Sequence, residues 1–435
     1  MPTSLTHRQV LTLAWPVMLA QAASALPGII DTVVMGSSGT ATDLAAVAVA
    51  AVVFSFLYWG FGFLRMSTTG LTAQARGAGD TAEVQAQLVR GALVGGILGL
   101  LVLLAFPALE PLMLGAFQAS AAVEQEAAGY MSARIWGAPA ALTSFAIQGW
   151  LLGVGRTREL LAVQLVLNIG NALLDAIFVA VLDLGATGIG AGTAIAEVAA
   201  CLTGLLLVRR SLGLPEGLLD PARLKLTFSA NRDAMVRTVA LLGGFAWFVN
   251  AGARLGDAVA AGNQVLLQFV STSAFVLDAY AFVTEKEVGE AVGARSPARL
   301  RQAMRVTTEL ALGSAVLFCV GFALAGPPII DAIVADPTAR QVARDYLPFC
   351  AIVPLLGVPA WQLDGIFLGA VRGRSLRNAA IVATAAYIGL DLLLRESGMG
   401  NAGVWWAFLA MYVLRALSLA PGMRGLVEDS RPKTA

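Results

Sequence analysis

Long apolar runs, separated by short polar ones, set the pattern of this chain. A helix needs about 20 mostly apolar residues to cross a bilayer, and twelve stretches are long enough. They lie near 9–36, 44–72, 87–107, 128–153, 160–182 and 186–209, then near 234–256, 258–285, 302–325, 345–369, 376–394 and 400–423. The pattern predicts an all-α membrane protein of twelve transmembrane helices. The polar segment 211–233 is basic, carries Pro215 and Pro221, and reads as a cytoplasmic linker between an N-terminal lobe, 1–210, and a C-terminal lobe, 234–435.

The two halves repeat. At a constant offset of 216, Tyr130 pairs with Tyr346, Gly149 with Gly365, Arg156 with Arg372, Arg158 with Arg374 and Asp175 with Asp391. Matches between rare residue types carry more weight than matches between Ala or Leu. With six spans each, both halves start on the same side, so the repeat is parallel and its pseudo-twofold runs along the membrane normal. Parallel repeats place a cavity between two lobes that rock against each other.

Composition agrees. The 435 residues are 57% hydrophobic and 13% charged, against about 25% charged in soluble domains. Of the 29 Lys and Arg, 22 fall on one side if the N-terminus is inside and four (Arg254, Arg340, Arg344 and Arg395) on the other. That split obeys the positive-inside rule with both termini cytoplasmic. A net charge of +1 points to no nucleic-acid partner. The three cysteines stand apart in apolar runs, and the single histidine, His7, precedes the first of them. Histidine-based chemistry within the membrane is thereby excluded.

Ionisable residues inside a span are costly and mark pathways or relays. Asp31 lies near the outer end of span 1, four residues after Pro27, which should kink that helix; Pro16 offers a second hinge. The alternative for Asp31 is a helix-end carboxylate in external water. In span 5, Asn168, Asn171 and Asp175 share one helix side; the alternative is interhelical glue. Counted at about 1.5 Å per residue, Asp31, Asp175, Thr193 of span 6 and Tyr130 of span 4 reach similar depth in the outer leaflet. Two carboxylates brought together in low dielectric cannot easily both be charged. Such a pair could carry a proton, or with Asn and Thr oxygens hold Na+. Asp31, Asn171, Asp175 and Thr193 are then the expected metal ligands. The second half has GGFAWFVNAGARLG where the first has Asp31, so ion coupling is expected in the first half. Asp278 and Asp364 are either structural or line a cavity. Arg134 is a further cavity residue, Glu197 a weaker relay, and Glu285, Lys286, Glu287 and Glu290 should pair with one another.

These segments resemble the multidrug and toxic compound extrusion (MATE) family, in its DinF-like branch. The resemblance is carried by LAWPVMLAQ and IDTVVMG, GFLRMSTTGLTAQARGAGD, GWLLGVGRTR, NALLDAIFV, LDGIFLGAVRGRSLRN and VWWAFLAMYVLRALSL, in order across nearly the whole chain. It implies a bacterial inner-membrane antiporter, not an enzyme. Such a protein exports cationic or amphipathic organic compounds against H+ or Na+, with no cofactor besides that ion, and a monomer is expected. It also implies an ion site made of Asp31, Asn171, Asp175, Thr193 and Tyr130, with Pro16 at the family's helix bend. Lys286 departs from the branch pattern. Two rivals stand beside this reading. A lipid-linked oligosaccharide flippase would need several cavity arginines, of which only Arg134 is suitable. An intramembrane enzyme would need a catalytic pattern that the chain lacks.

Overall fold

The computed structural model describes residues 5–430 except 25, 39, 116, 118, 214 and 216. The described residues form helices and connecting turns, with no strand among them. Lipid offers the backbone no hydrogen bonds, so a spanning segment must satisfy its own. The helices are α1 (His7–Ala23), α2 (Leu26–Ser38), α3 (Ala41–Gly60), α4 (Phe63–Gly77), α5 (Thr81–Gly115), α6 (Ala121–Arg134), α7 (Ala138–Gly153), α8 (Thr157–Asp175) and α9 (Gly185–Val208). They continue as α10 (Pro221–Ala253), α11 (Asp257–Gly293), α12 (Pro297–Ile333), α13 (Pro337–Gly369), α14 (Gly373–Glu396), α15 (Gly400–Leu419) and α16 (Gly422–Asp429).

Contacts divide the chain into two compact bodies. One comprises residues 19–72 and 80–227, here the N-terminal body; the other comprises 1–18, 73–79 and 228–435, here the C-terminal body. The repeat reappears in the helix starts. α3, α5, α6 and α8 begin at Ala41, Thr81, Ala121 and Thr157. Their counterparts α11, α12, α13 and α14 begin at Asp257, Pro297, Pro337 and Gly373, every one at the offset of the sequence repeat.

Among the described residues, eleven helical stretches are long and apolar enough to cross a membrane. The remaining expected span, 128–153, is broken: α6 ends at Arg134, a 3-10 turn covers Ile135–Gly137, and α7 starts with Pro139 in its first turn. Proline lacks the amide hydrogen that a continuous helix would use there. In span 1, α1 runs through Pro16 without interruption and ends at Ala23, Ser24 lies in a turn, and α2 has Pro27 in its first turn. The segment expected to be a linker is helical from Pro221 onward. Pro is pre-organised for a first helical position, and the Asp220 carboxylate accepts the Arg223 amide at 2.9 Å as a cap.

Each body has an apolar core and an apolar exterior. Met35, Phe54, Phe106, Tyr130, Met131 and Ile189 pack in the N-terminal body. Phe248, Tyr387, Trp405, Phe408 and Tyr412 do so in the C-terminal body. On α5, Leu93, Ile97, Leu101 and Leu104 form an exposed stripe at helical spacing, as a lipid-facing surface requires. In the C-terminal body, Gly77 of α4 lies against the Glu290 backbone carbonyl of α11, and Gly293 against that of Gln74. The two glycines are repeat partners, and neither position has room for a Cβ.

Candidate ion-coupling site

The site lies in the N-terminal body, where α2 meets α3 and α8, and α9 packs on α6 and α8. Close approach depends on small residues. A side chain at Gly190 would strike the Tyr130 backbone, and one at Gly192 would strike the Asp175 carboxyl. Both lie on α9, so its glycine face admits α6 on one side and α8 on the other.

Asp31 is 2% exposed, and Asn171 and Asp175 are fully buried. The Asp31 and Asp175 carboxyl groups are neighbours, with the Asn171 side chain beside both. The Tyr130 hydroxyl donates to Asp31 Oδ2 at 3.3 Å. Asn171 Nδ2 donates to Thr193 Oγ1 at 3.0 Å, and Thr193 Oγ1 in turn donates to the Ile189 carbonyl at 3.0 Å. Asp31 Oδ1, Asn171 Oδ1 and both oxygens of Asp175 accept no hydrogen bond. A buried acceptor left unmade costs about 1–3 kcal/mol, and more when charged. Four such oxygens come from neighbouring residues of α2 and α8, a donor set whose chemistry suits a proton or a small hard cation. Directly after Asp175 the chain changes to a π-helical turn, Ala176–Val181, a distortion frequent at functional positions.

Beyond Tyr130 the network continues. Arg134 Nη1 donates to the Tyr130 hydroxyl at 2.7 Å, and its Nη2 lies 3.7 Å from Glu197 Oε1. Tyr58 donates to Glu197 Oε2 at 3.2 Å. The guanidinium sits over the rings of Phe54, Tyr58 and Tyr130, at 4.6, 5.7 and 5.8 Å from their centroids. Asn168 lies one turn away from Asn171 and donates to the Ala23 carbonyl at 2.7 Å, which serves the end of α1 at the break before α2.

The remaining sequence-selected residues lie in the C-terminal body. Pro16 is buried within α1. Asp364 accepts from Arg237 and Arg415, and all three are buried. Asp278 is half-buried near Tyr412. Lys286 pairs with Glu287 at 2.6 Å and with Glu290 at 3.0 Å. Asp391, the repeat partner of Asp175, is held by Arg395 at 2.7 Å and by the Trp247 indole at 2.7 Å. Trp247 is itself the repeat partner of Asp31. The carboxyl pair of one half is thus a Trp–Asp–Arg arrangement in the other.

Sequence reasoning did not select Phe54, Tyr58, Arg395 or Trp247. Arg395 had a signal: it is four residues after Asp391, one helical turn on, where the first half has Val179. The Tyr58–Glu197 contact spans 139 residues and left no trace in local spacing.

Residues 16–177 and 238–393 match the MatE family model. The chain is 36% identical over 415 residues to the DNA damage-inducible protein F of Escherichia coli K12, covering 94% of this chain and 90% of the relative. It is 26% identical over 432 residues to a probable multidrug resistance protein NorM of Neisseria meningitidis, covering 95% and 92%. A MOP superfamily transporter from Pyrococcus furiosus superposes with a TM-score of 0.87 at 19% identity, over 98% of this chain and 97% of that one. A MATE in complex with MaD3S superposes with a TM-score of 0.87 at 18% identity, over 97% and 96%. At such identities the solved structures establish the fold, two helical lobes related by a repeat.

Proposed function

The chain belongs to the MatE family of multidrug efflux transporters, and on that premise we propose that it is a cation-coupled antiporter. It exports cationic or amphipathic organic compounds from the bacterial cytoplasm across the inner membrane. Entry of H+ or Na+ at the Asp31–Asp175 pair drives the export. One observation carries the reading: two carboxyl groups, buried together on α2 and α8, of whose four oxygens three, with the neighbouring Asn171 Oδ1, have no hydrogen-bond donor. A protein interior does not retain such an arrangement for stability, because an uncompensated buried charge costs several kcal/mol. It is retained where a positive charge comes and goes. Asn171 and Thr193 shape the pocket, and Tyr130 ties Asp31 to Arg134. Asp391, matched instead by Arg395 and Trp247, supports an exchange confined to one half.

A mobile cation explains how the site biases a conformational equilibrium. With the pair empty, mutual repulsion pushes α2 and α8 apart; with a cation between them, the two helices draw together. A ligand shifts a two-state equilibrium only by its difference in affinity for the two states. The test is ethidium efflux from proteoliposomes with the pH and Na+ gradients imposed independently. Efflux driven by at least one of them supports the reading, and efflux indifferent to both removes it.

A further inference from the structure

In the C-terminal body, α12, α13 and α16 border an open groove of about 480 Å³. Its walls are apolar: Met304 and Leu312 of α12, Pro359, Leu363 and Ile366 of α13, and Met423 of α16. Helical spacing builds it. Arg301, Arg305, Thr308 and Leu312 share one face of α12, as Pro359, Leu363 and Ile366 share one face of α13. The short α16 forms the third side and is pinned there. Its Leu426 is 1% exposed, and Arg372 Nη2 donates to the Gly425 carbonyl at 3.0 Å. Past Leu312, the exposed Val316, Val320 and Leu324 carry the apolar surface onward along α12.

The polar groups of the groove are unevenly matched. Arg301 and Arg305 are exposed, near the start of α12. Arg301 Nε donates to the Pro297 carbonyl at 3.3 Å, and the guanidinium pairs with no carboxylate among the described residues. Arg305 Nε donates to Glu309 Oε1 at 2.7 Å, and Glu309 Oε2 meets His7 Nε2 at 2.8 Å. Two guanidinium groups therefore share one carboxylate. Gln362 belongs to the wall and is 3% exposed. One end of its carboxamide meets the hydroxyls of Thr284 and Thr307 at 2.7 and 3.3 Å, and the other end has no partner. A buried polar group left unpaired is costly, and an occupant of the groove with polar oxygens would relieve it.

We propose that this groove holds an anionic glycerophospholipid. Its phosphate lies between Arg301 and Arg305, its glycerol region reaches Gln362, and an acyl chain runs over Leu363 and Leu312 toward Val316. Guanidinium groups match phosphate through paired N–H donors. A soluble anion would leave the apolar walls unused, and a lipid without net charge would leave the positive excess unmatched. The distribution of Lys and Arg puts this end of the body in the cytoplasm, where anionic headgroups attract basic residues. A seated lipid ties α16 to α12 and α13. The groove holds none of the residues of the Asp31–Asp175 site, so the inference stands or falls independently of antiport.

The probe is dioleoylphosphatidylglycerol, titrated onto the purified full chain in detergent and followed by native mass spectrometry, with dioleoylphosphatidylcholine as the competitor. Wild type is expected to hold a single phosphatidylglycerol about tenfold more tightly than phosphatidylcholine. Arg301→Gln combined with Arg305→Gln is expected to erase that preference. Leu363→Trp keeps both charges, fills the groove, and is expected to weaken phosphatidylglycerol about tenfold. Arg209→Gln combined with Arg210→Gln removes two exposed charges outside the groove and is expected to leave the preference unchanged. A preference that survives loss of Arg301 and Arg305, or that falls equally with Arg209 and Arg210, overturns the proposal. Displacement of the lipid by millimolar inorganic phosphate marks a plain anion site and overturns it as well. Wild type with no preference for phosphatidylglycerol overturns it without recourse to any variant.

Discussion

Replacing Asp175 with Asn changes one atom and removes one charge from a fully buried position. At a separation of about 4 Å and an effective dielectric constant near 20, the attraction between a bound cation and one carboxylate is worth about 4 kcal/mol. That is close to a thousandfold in affinity. Asn keeps an oxygen, so shape and part of the dipole survive. The repeat supplies a control in the same molecule. Asp391→Asn makes the identical chemical change at the repeat partner, where the carboxylate is matched by Arg395 and Trp247 at 2.7 Å each. That change leaves Arg395 without its carboxylate and is expected to lower the unfolding temperature while leaving coupling intact. Asp175→Asn is expected to abolish gradient-driven ethidium efflux without lowering the unfolding temperature. The assays are efflux from proteoliposomes and thermal unfolding of detergent-purified protein. Efflux lost in Asp391→Asn and kept in Asp175→Asn would refute the assignment of coupling to the N-terminal body.

Further outcomes follow from particular contacts. Tyr130→Phe removes the hydroxyl that accepts from Arg134 and donates to Asp31; a loss of about 1–3 kcal/mol should slow coupled efflux roughly tenfold to a hundredfold, and unchanged efflux would remove Tyr130 from the network. Arg90→Gln breaks a buried pair with Glu83 and frees the Gly217 and Leu218 carbonyls that Arg90 binds at 2.8 and 2.7 Å. Limited proteolysis should then cut between Leu212 and Asp220 at least ten times faster, with coupling preserved. Gly77→Val places a side chain against the Glu290 backbone, where a carbonyl rather than a flexible side chain must yield. Overpacking of about 1–3 kcal/mol should appear as a lower unfolding temperature, and Gly293→Val, the repeat equivalent, should behave alike.

Much of the fold could be read from the residues, because a bilayer imposes length and apolarity on every spanning segment and the repeat fixes the count twice. The helix breaks were less legible. Pro16 and Pro27 look alike in sequence, yet the chain breaks only beside Pro27, where Asn168 of α8 serves the freed Ala23 carbonyl. Proline at position 16 costs one backbone bond; the break itself needs a partner from another helix. Within the site, the four-residue step from Asn171 to Asp175 was readable because helical spacing alone places both on one side. Their meeting with Asp31 followed from depth. The aromatic box of Phe54, Tyr58 and Tyr130 around Arg134 was only half readable: four-residue steps place Phe54 with Tyr58 on α3 and Tyr130 with Arg134 on α6, but nothing local brings the two helices together. The same holds for Asp364, whose partners Arg237 and Arg415 lie 127 and 51 residues away.

Antiport through the Asp31–Asp175 pair requires that drug and coupling ion exclude each other from the same protein. The direct measurement is cation release when ethidium is added to the purified protein in weakly buffered detergent solution, followed with a proton electrode and with radioactive Na+. Wild type should release protons or Na+ as ethidium binds, and the Asp31→Asn, Asp175→Asn double variant should release neither. Ethidium that binds wild type without displacing either cation, or equal release from the double variant, would contradict the account.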